Sequence, residues 1–307
     1  MQSVNFTLLG DESIANNLGK KGTSTDITIY DRKDSDTIRT FTCPTSFPEK
    51  IQSIFQAINM GEYVIMHVTK VDKFLGEQIL ALDILKKTRG LLCHSYDVDR
   101  NKLLEMVKGT VVEKYKIVDI SDLKKEVDAV QPMSNEGDAK IAIDHCFDVK
   151  GAGTVILGRV IQGKIKQYDN LKLLLDGTDV MLKSIQMHDE NIAEAVYPAR
   201  VGLSVKGVTS FDVERGDVLC AKDAMKVLQE ITLDYSQNKY FKEDIRENQS
   251  FLISIGLQTR GAKVLSLNPM KLSLVKPVAF DEDDICVVLK PESQTMRIVG
   301  SGRIVDA

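Results

Sequence analysis

The chain has 307 residues, more than one hydrophobic core usually supports, so we expect two or three domains. Apolar residues make up 43% and charged residues 27%, which is typical of a globular protein, and no stretch is apolar enough to span a bilayer. The net charge of −4 argues against a protein that coats nucleic acid by charge alone, and the N-terminus carries no secretion signal, so we predict a cytoplasmic protein.

Up to about residue 130 the sequence alternates strand-like and helix-like runs, a pattern that predicts a doubly wound α/β domain. The predicted strands are Val4 to Leu9, Ile27 to Tyr30, Thr37 to Thr42, Tyr63 to Val68, Leu91 to His94 and Lys116 to Ile120. Apolar residues at helical spacing predict helices around Ile51 to Ile58, Ile79 to Leu85, Leu103 to Val107 and Leu123 to Val130, the last capped by Ser121.

The polar segment 131–139 contains Pro and Gly and has no apolar period, so it is predicted to be a linker between the first domain, residues 1–130, and the next. Residues 140–222 consist of short apolar runs separated by Gly and Asp turns, which predicts a small antiparallel barrel or sandwich. Residues 223–307 again alternate like strands and predict a second β domain.

The five cysteines and four histidines are scattered along the chain without a CxxC pair. This distribution predicts neither a disulfide framework nor a metal site.

A glycine pattern in the second domain carries a family resemblance. The run GAGTVILGRV from Gly151 to Val160 is followed by GKI at 163–165, DNL at 169–171 and ERGDVL at 214–219. It is similar to the second-domain pattern GxGTVxxGxVxxGxIxxxDxL of translational GTPases such as elongation factor Tu and SelB. The resemblance implies an α/β GTPase-like domain followed by two β-barrels, the layout of elongation factor Tu.

The same resemblance implies a phosphate loop GxxxxGKS/T after the first strand, whose backbone N–H groups, lysine and hydroxyl bind phosphate and Mg²⁺. Gly10 matches the first glycine, but Ala15, Asn16 and Asn17 stand at the second glycine, the lysine and the hydroxyl position. Asp11 and Glu12 add negative charges beside the place of the phosphates.

The other nucleotide motifs are also degenerate. Where the family has DxxGH, the residues at the Asp, Gly and His positions are Thr42, Thr45 and Ser46, and of NKxD one alignment keeps Asp97 alone. We therefore predict no catalytic residue and an inactive GTPase fold that needs no cofactor. GTP or GDP with Mg²⁺ would bind only if the divergent site still functions.

In the family, the two barrel domains hold aminoacyl-tRNA. The resemblance therefore implies RNA contacts by basic residues of both barrels: Arg159, Lys164 and Lys166 in the first, and Arg260, Lys263, Lys271 and Lys276 in the second. Residues 228–307 carry 10 basic and 11 acidic side chains, so any RNA binding there must use a local patch.

Three functions remain open on the sequence. The first is a SelB-like, monomeric factor that binds aminoacyl-tRNA, such as one carrying pyrrolysine, and the ribosome without a GTPase cycle. The sequence shows no module after the third domain, so we expect a recoding role to need a separate partner. The second is a pseudo-GTPase scaffold that binds a protein, and the third a GTPase with divergent motifs.

Overall fold

The polar segment near residue 132 separates two compact units in the computed structural model, which describes residues 1–151 and 153–305. Ala152, a residue of the glycine-rich run, lies outside the described residues. Unit 1 comprises Met1–Pro132 and Pro291–Ile298, and unit 2 comprises Met133–Lys290 and Val299–Ala307. The chain therefore passes from one unit to the other three times.

The strands of unit 1 are β1 (Gln2–Gly10), β2 (Lys20–Ser24), β3 (Thr28–Asp34), β4 (Thr37–Cys43), β5 (Tyr63–Val68), β6 (Gly90–His94) and β7 (Lys116–Ile117). They form one sheet in the order β2-β3-β4-β1-β5-β6-β7. β4, β1, β5, β6 and β7 are parallel, whereas β2 and β3 pair antiparallel. Among the parallel strands, β5 and β6 read as nearly continuous apolar runs because helices cover both faces of the sheet.

The helices of unit 1 are α1 (Ala15–Leu18), α2 (Gln52–Met60), α3 (Lys73–Ile84), α4 (Arg100–Val107) and α5 (Leu123–Ala129). On one face, α1 and α5 bury Leu18 and Val127 against the stacked rings of Phe6 and Phe41, whose centroids lie 5.2 Å apart. On the other face, Thr7 of β1 donates a hydrogen bond of 2.8 Å to the Ala57 carbonyl oxygen of α2.

Some predicted elements differ from the structure. The predicted cap Ser121 is wrong, because α5 begins after Asp122, which closes a turn by donating its N–H to the Asp119 carbonyl oxygen. The strand predicted to reach Ile120 ends at Ile117. The strand β2 and the short helix α1 have no counterpart in the predicted elements, because each is too short for an apolar period.

The first part of unit 2 contains β8 (Lys140–Val149), β9 (Gly153–Gln162), β10 (Lys164–Lys166), β11 (Asn170–Leu173), β12 (Thr178–Met187), β13 (Glu190–Ile192), β14 (Glu194–Val196), β15 (Arg200–Lys206) and β16 (Val218–Cys220). Six of them form a closed sheet in the order β11-β16-β8-β9-β15-β12, in which β12 pairs with β11. β13 pairs with β12, and β10 pairs separately with β14. This is a small antiparallel barrel.

The second part of unit 2 contains β17 (Lys226–Gln237), β18 (Ser250–Ile255), β19 (Gln258–Leu267), β20 (Met270–Phe280), β21 (Ile285–Leu289) and β22 (Ile298–Val305). They form a closed barrel in the order β17-β20-β19-β18-β21-β22. The predicted architecture, a doubly wound α/β domain followed by two β-barrels, is confirmed. No helix of the described residues is long and apolar enough to cross a membrane.

Asp284, in the turn before β21 of unit 2, is a partly buried carboxyl group. Burial raises the pKa of its carboxyl to about 6, although the Asp281 N–H donates to the carboxylate at 2.8 Å. A carboxyl with a raised pKa stabilises the fold below its unfolded pKa and loses that contribution as the pH rises through the folded value. Asp284→Asn should therefore raise the free energy of unfolding at pH 7 by about 1–2 kcal/mol, with no gain below about pH 4.

Urea unfolding at both pH values measures this effect. The matched control is Asp283→Asn at the exposed neighbouring position, which should change the stability by less than about 0.5 kcal/mol. An equal gain at pH 7 and pH 4 would show that the effect of Asp284→Asn does not come from its titration.

Candidate functional site

The candidate nucleotide site lies where the parallel strands of unit 1 end. β1 lies between β4 and β5, and in the register Thr7 pairs with Thr42 and Gly10 with His67. The carboxyl ends of β1, β4, β5 and β6 therefore meet at one edge of the sheet, which we call the carboxyl edge. In open α/β sheets, ligands bind at this edge, beside the point where the strand order reverses.

The loop after β1 is closed by hydrogen bonds within the chain. Gly10 has φ +83° and donates its N–H to the Gln78 side-chain oxygen at 2.8 Å. The next N–H, that of Asp11, donates to the His67 carbonyl oxygen at 2.8 Å. The Asp11 carboxylate then accepts the Ser13 N–H at 2.9 Å and caps a single 3₁₀ turn, Glu12–Ile14.

The Asp11 carboxylate thus accepts the Ser13 N–H, at the second residue of the turn that follows β1. The Ser13 backbone N–H, with a smaller contribution from the Ser13 side chain, lowers the pKa of the Asp11 carboxyl, so this group is ionised at neutral pH. At the remaining phosphate-loop positions, Ala15 is buried in the core, while Asn16 and Asn17 lie exposed on α1.

Two of the residues at the DxxGH position, Thr45 and Ser46, form hydrogen bonds with residues near the start of β3. Thr42 is fully buried, and its hydroxyl has no hydrogen-bond partner among the described residues. The Thr45 hydroxyl lies 2.5 Å from the Thr28 hydroxyl, and Ser46 donates to Asp26 at 3.0 Å. These positions carry neutral hydroxyl groups in place of a carboxylate and an imidazole.

A buried arginine contacts the segment that follows Ser46. Arg297, in the segment Pro291–Ile298 of unit 1, donates from Nε to the two carboxylate oxygens of Glu77 at 3.0 and 3.2 Å. Its Nη2 also donates to Glu77, and its Nη1 donates to the Pro48 carbonyl oxygen. The Arg297 and Glu77 side chains are 10% and 3% exposed, so this ion pair is buried.

Two aromatic rings enclose the same guanidinium. The rings of Phe47 and Phe74 have their centroids 5.4 and 5.6 Å from the central guanidinium carbon of Arg297 and meet each other edge to face at 5.7 Å. This arrangement, which we call the Arg297 clamp, comprises Arg297, Glu77, Phe47, Pro48 and Phe74. It fixes the chain directly after the DxxGH position.

The turn after β6 stands where the base-reading motif would lie. Ser95 and Val98 close this turn through a hydrogen bond of 3.2 Å from the Val98 N–H to the Ser95 carbonyl oxygen. Asp97 is exposed on the turn, and Tyr96 beside it is completely exposed. No group of three or more potential metal-ligating side chains occurs within the described ranges.

Two of the seven basic candidates are interior residues rather than surface ligands. Arg159 is buried with its guanidinium 5.5 Å from the Tyr197 ring, and Arg260 is buried with Nη2 3.5 Å from the Asp217 carboxylate. Prediction from sequence placed both on the RNA-binding surface. The structure corrects this, because strand alternation turns these side chains inward, where they are packed and paired.

The other five candidates are exposed lysines. Lys166 lies 3.4 Å from Glu194, and Lys276 lies 2.7 Å from Glu214. The remaining three have no ion-pair partner among the residues that the structure describes: Lys164 on β10, Lys263 on β19 and Lys271 on β20. β19 and β20 are adjacent strands, so the structure brings Lys263 and Lys271 onto one side of the second barrel.

A cluster absent from the sequence prediction lies on the first barrel. Phe147, Val149 and Phe211 are exposed, Phe211 by 94%, and we call them the aromatic patch. The Ser210 hydroxyl donates to Asp148 at 2.7 Å and holds the Phe211 loop beside the end of β8. The two parts lie 62 residues apart in sequence, so only an exposed phenylalanine in a polar loop could have indicated the cluster.

Comparison with known proteins agrees with this architecture. Residues 153–220 match the family model of elongation factor Tu domain 2. The chain is 33% identical over 311 residues to an uncharacterized protein of Methanocaldococcus jannaschii, covering 99% of this chain and 100% of that protein.

Proteins of named function are also similar. The selenocysteine-specific elongation factor of the same organism is 26% identical over 278 residues, which cover 75% of this chain and 59% of that factor. The crystal structure of the elongation factor SelB from Methanococcus maripaludis with the GTP analogue GppNHp superposes with a TM-score of 0.83 at 19% identity, covering 100% of this chain and 79% of that one. The chain therefore belongs to the family of translational GTPases that resemble SelB and elongation factor Tu.

Proposed function

We propose that this protein is a translation factor that binds aminoacyl-tRNA and the ribosome through its barrels and does not bind or hydrolyse GTP. The observation that carries the proposal is the loop after β1. There the Asp11 carboxylate takes the Ser13 N–H that a phosphate would otherwise accept. The Asp11 carboxylate therefore competes with a phosphate for the same N–H group.

The charge of the carboxyl edge supports the loss of nucleotide binding. The loops that follow its parallel strands are residues 11–13, 44–50, 69–72, 95–100 and 118–122, and they carry eight acidic and three basic side chains. A nucleoside triphosphate would bring further negative charge to this edge. The interaction between like charges is unfavourable and grows stronger where solvent is partly excluded.

The residues also do not fit a magnesium ion. Mg²⁺ in this family of sites requires a hydroxyl at the end of the phosphate loop and a nearby carboxylate. Asn17 and Thr42 occupy those positions, and the Thr42 hydroxyl is buried on the sheet. The site therefore lacks the side chains that metal-assisted hydrolysis would require.

The Arg297 clamp supports a permanently fixed segment in place of a switch. In GTPases, the segment after DxxGH changes its order according to whether the γ-phosphate is present. Here Pro48 accepts a hydrogen bond from Arg297, and Phe47 packs on the same guanidinium. These contacts involve protein groups alone, so a nucleotide is not needed to order the segment.

Nucleotides should leave the stability of the protein unchanged. A ligand at 100 times its Kd adds about 2.7 kcal/mol to the free energy of unfolding. We expect no such gain here, because the negative charges of Asp11 and of the carboxyl edge oppose nucleotide binding. The measurement is thermal unfolding with 5 mM GTP, GDP or ATP and excess Mg²⁺, where 5 mM is about 100 times a Kd of 50 µM.

Asp284→Asn in the same assay is the control for sensitivity, because its expected gain of about 1–2 kcal/mol is smaller than the effect sought. A rise in the unfolding temperature with GTP and GDP but not with ATP would support the alternative of a divergent GTPase. It would overturn this part of the proposal.

The barrels offer the RNA-binding surface. Lys164, Lys263 and Lys271 provide exposed charges for phosphates, and the aromatic patch provides faces on which unpaired bases can stack. A tRNA combines both features, since it has a folded phosphate backbone and a single-stranded acceptor end. This chemistry supports aminoacyl-tRNA as the ligand.

Reversing the charge of Lys263 and Lys271 should weaken tRNA binding and its salt dependence. Each lysine in direct contact with a phosphate contributes about 1 to the slope of log K against log salt concentration. Filter binding of charged and uncharged tRNA between 50 and 200 mM KCl, a range chosen to give a several-fold change in affinity for even a few contacts, measures both effects. Lys102→Glu, at an exposed lysine of α4, is the control and should leave binding unchanged. Absence of salt-sensitive binding at micromolar protein would contradict the proposal.

A further inference from the structure

Three large apolar side chains are exposed on neighbouring loops of the carboxyl edge. Val71 follows β5 and is 37% exposed, Tyr96 follows β6 and is 101% exposed, and Ile120 follows β7 and is 49% exposed. β5, β6 and β7 are adjacent parallel strands, with Val68 paired to His94 and Leu92 to Ile117. The three loops are therefore neighbours, and we call Val71, Tyr96 and Ile120 the edge patch.

The backbone holds Tyr96 in a fixed position. The Ser95 N–H donates to the Val68 carbonyl oxygen at 2.9 Å, which ties the loop after β6 to the end of β5. Asp99 accepts the N–H groups of Asn101 and Lys102 at 3.0 and 3.2 Å and so fixes the start of α4. Because the turn between these anchors is already ordered, a partner that contacts Tyr96 loses little conformational entropy of the loop.

The charge around the edge patch selects the class of partner. The loops 69–72, 95–100 and 118–122 contain five aspartates but one lysine and one arginine, and Lys70 lies 3.4 Å from Asp72. A polynucleotide needs a basic surface, so this face repels RNA. A polypeptide with lysines or arginines beside an aliphatic or aromatic side chain matches both the acidic loops and the apolar residues.

We propose that the edge patch is a docking surface for a basic protein segment, with Tyr96 as its central apolar anchor. Exposed tyrosines are frequent among the few residues that carry most of the affinity of an interface. The surface lies on unit 1 and uses none of the lysines or aromatic residues that we assign to tRNA, so it goes beyond the proposed function. Failure of tRNA binding would leave it intact.

A defined probe for this surface is a fluorescent 12-residue peptide of alternating lysine and leucine, with glutamate in place of lysine in its charge-reversed control. Fluorescence anisotropy with the full chain should show salt-sensitive binding of the lysine peptide alone. Tyr96→Ser and Ile120→Ser should each raise its Kd about tenfold. Tyr240→Ser, which removes an exposed tyrosine from unit 2 that has no assigned role, should leave the Kd unchanged.

Several outcomes would overturn the proposal. They are no binding of the lysine peptide, equal binding of both peptides, or an unchanged Kd in Tyr96→Ser. Poly(U) RNA is the second probe, and a loss of its binding in Tyr96→Ser would mean that the face takes RNA. Sedimentation that shows a dimer of the wild-type chain but a monomer of Tyr96→Ser would mean that a second copy occupies the face.

Discussion

Glu77→Ala is expected to lower the free energy of unfolding of unit 1 by about 3–5 kcal/mol, because it leaves the Arg297 guanidinium buried without its counter-charge. Glu77 accepts from Nε, Nη2 and the backbone N–H of Arg297, so the substitution removes several charge-assisted bonds at once. The rings of Phe47 and Phe74 exclude the water that could replace them.

Denaturant unfolding followed by circular dichroism at the helical minimum measures this loss. The signal reports on unit 1, because all α-helices of the described residues lie there. Arg303→Ala is the matched control. Its guanidinium pairs with Asp283 at 3.1 Å at the surface, and its loss should cost less than about 1 kcal/mol. Glu77→Leu combined with Arg297→Met should recover most of the stability lost in Glu77→Ala, because it removes both buried charges. Equal losses in Glu77→Ala and Arg303→Ala would contradict a buried, water-excluding clamp.

Gly10→Ala is expected to destabilise unit 1 by at least about 3 kcal/mol without any nucleotide. At φ +83° a side chain is strained, and a Cβ at Gly10 would overlap the His67 carbonyl oxygen and lie 2.8 Å from its carbonyl carbon. That oxygen also accepts the Asp11 N–H, so the backbone cannot move away without breaking a hydrogen bond. Gly10 is thus needed for the close approach of β1 to β5.

Gly109→Ala is the matched control for backbone strain. Gly109 has φ +76° in the same unit, but a Cβ there would meet no atom within 4 Å, so the expected cost is about 1 kcal/mol. Denaturant unfolding of the two variants in nucleotide-free buffer separates the steric overlap from the strain. A Gly10→Ala protein as stable as Gly109→Ala would mean that this glycine serves a ligand rather than the fold.

Apolar periodicity was sufficient to predict the order of the domains and the long elements. The parallel strands β5 and β6 are buried on both faces and read as continuous apolar runs, and α2 shows apolar residues at helical spacing because it packs on the sheet. β2 carries two lysines and lies at the sheet edge, where no burial imposes a pattern.

The candidate site was predicted less completely. The loss of phosphate-loop residues at Ala15, Asn16 and Asn17 is readable in the sequence, because that motif has fixed spacing. The contact of Glu77 with Arg297 joins residues 220 positions apart, and neither position belongs to a pattern. Whether a strand arginine such as Arg260 faces outward depends on a register that pairing alone determines.

The excursion of Pro291–Ile298 into unit 1 has a consequence for dissecting the protein. A fragment that ends at Pro132 would appear complete by its sheet and helices, yet it would keep Glu77 in an apolar interior and lack Arg297. Domain boundaries drawn at the linker therefore cut through a folding unit. Isolated fragments of this chain should be compared with the intact protein before any property is assigned to one domain.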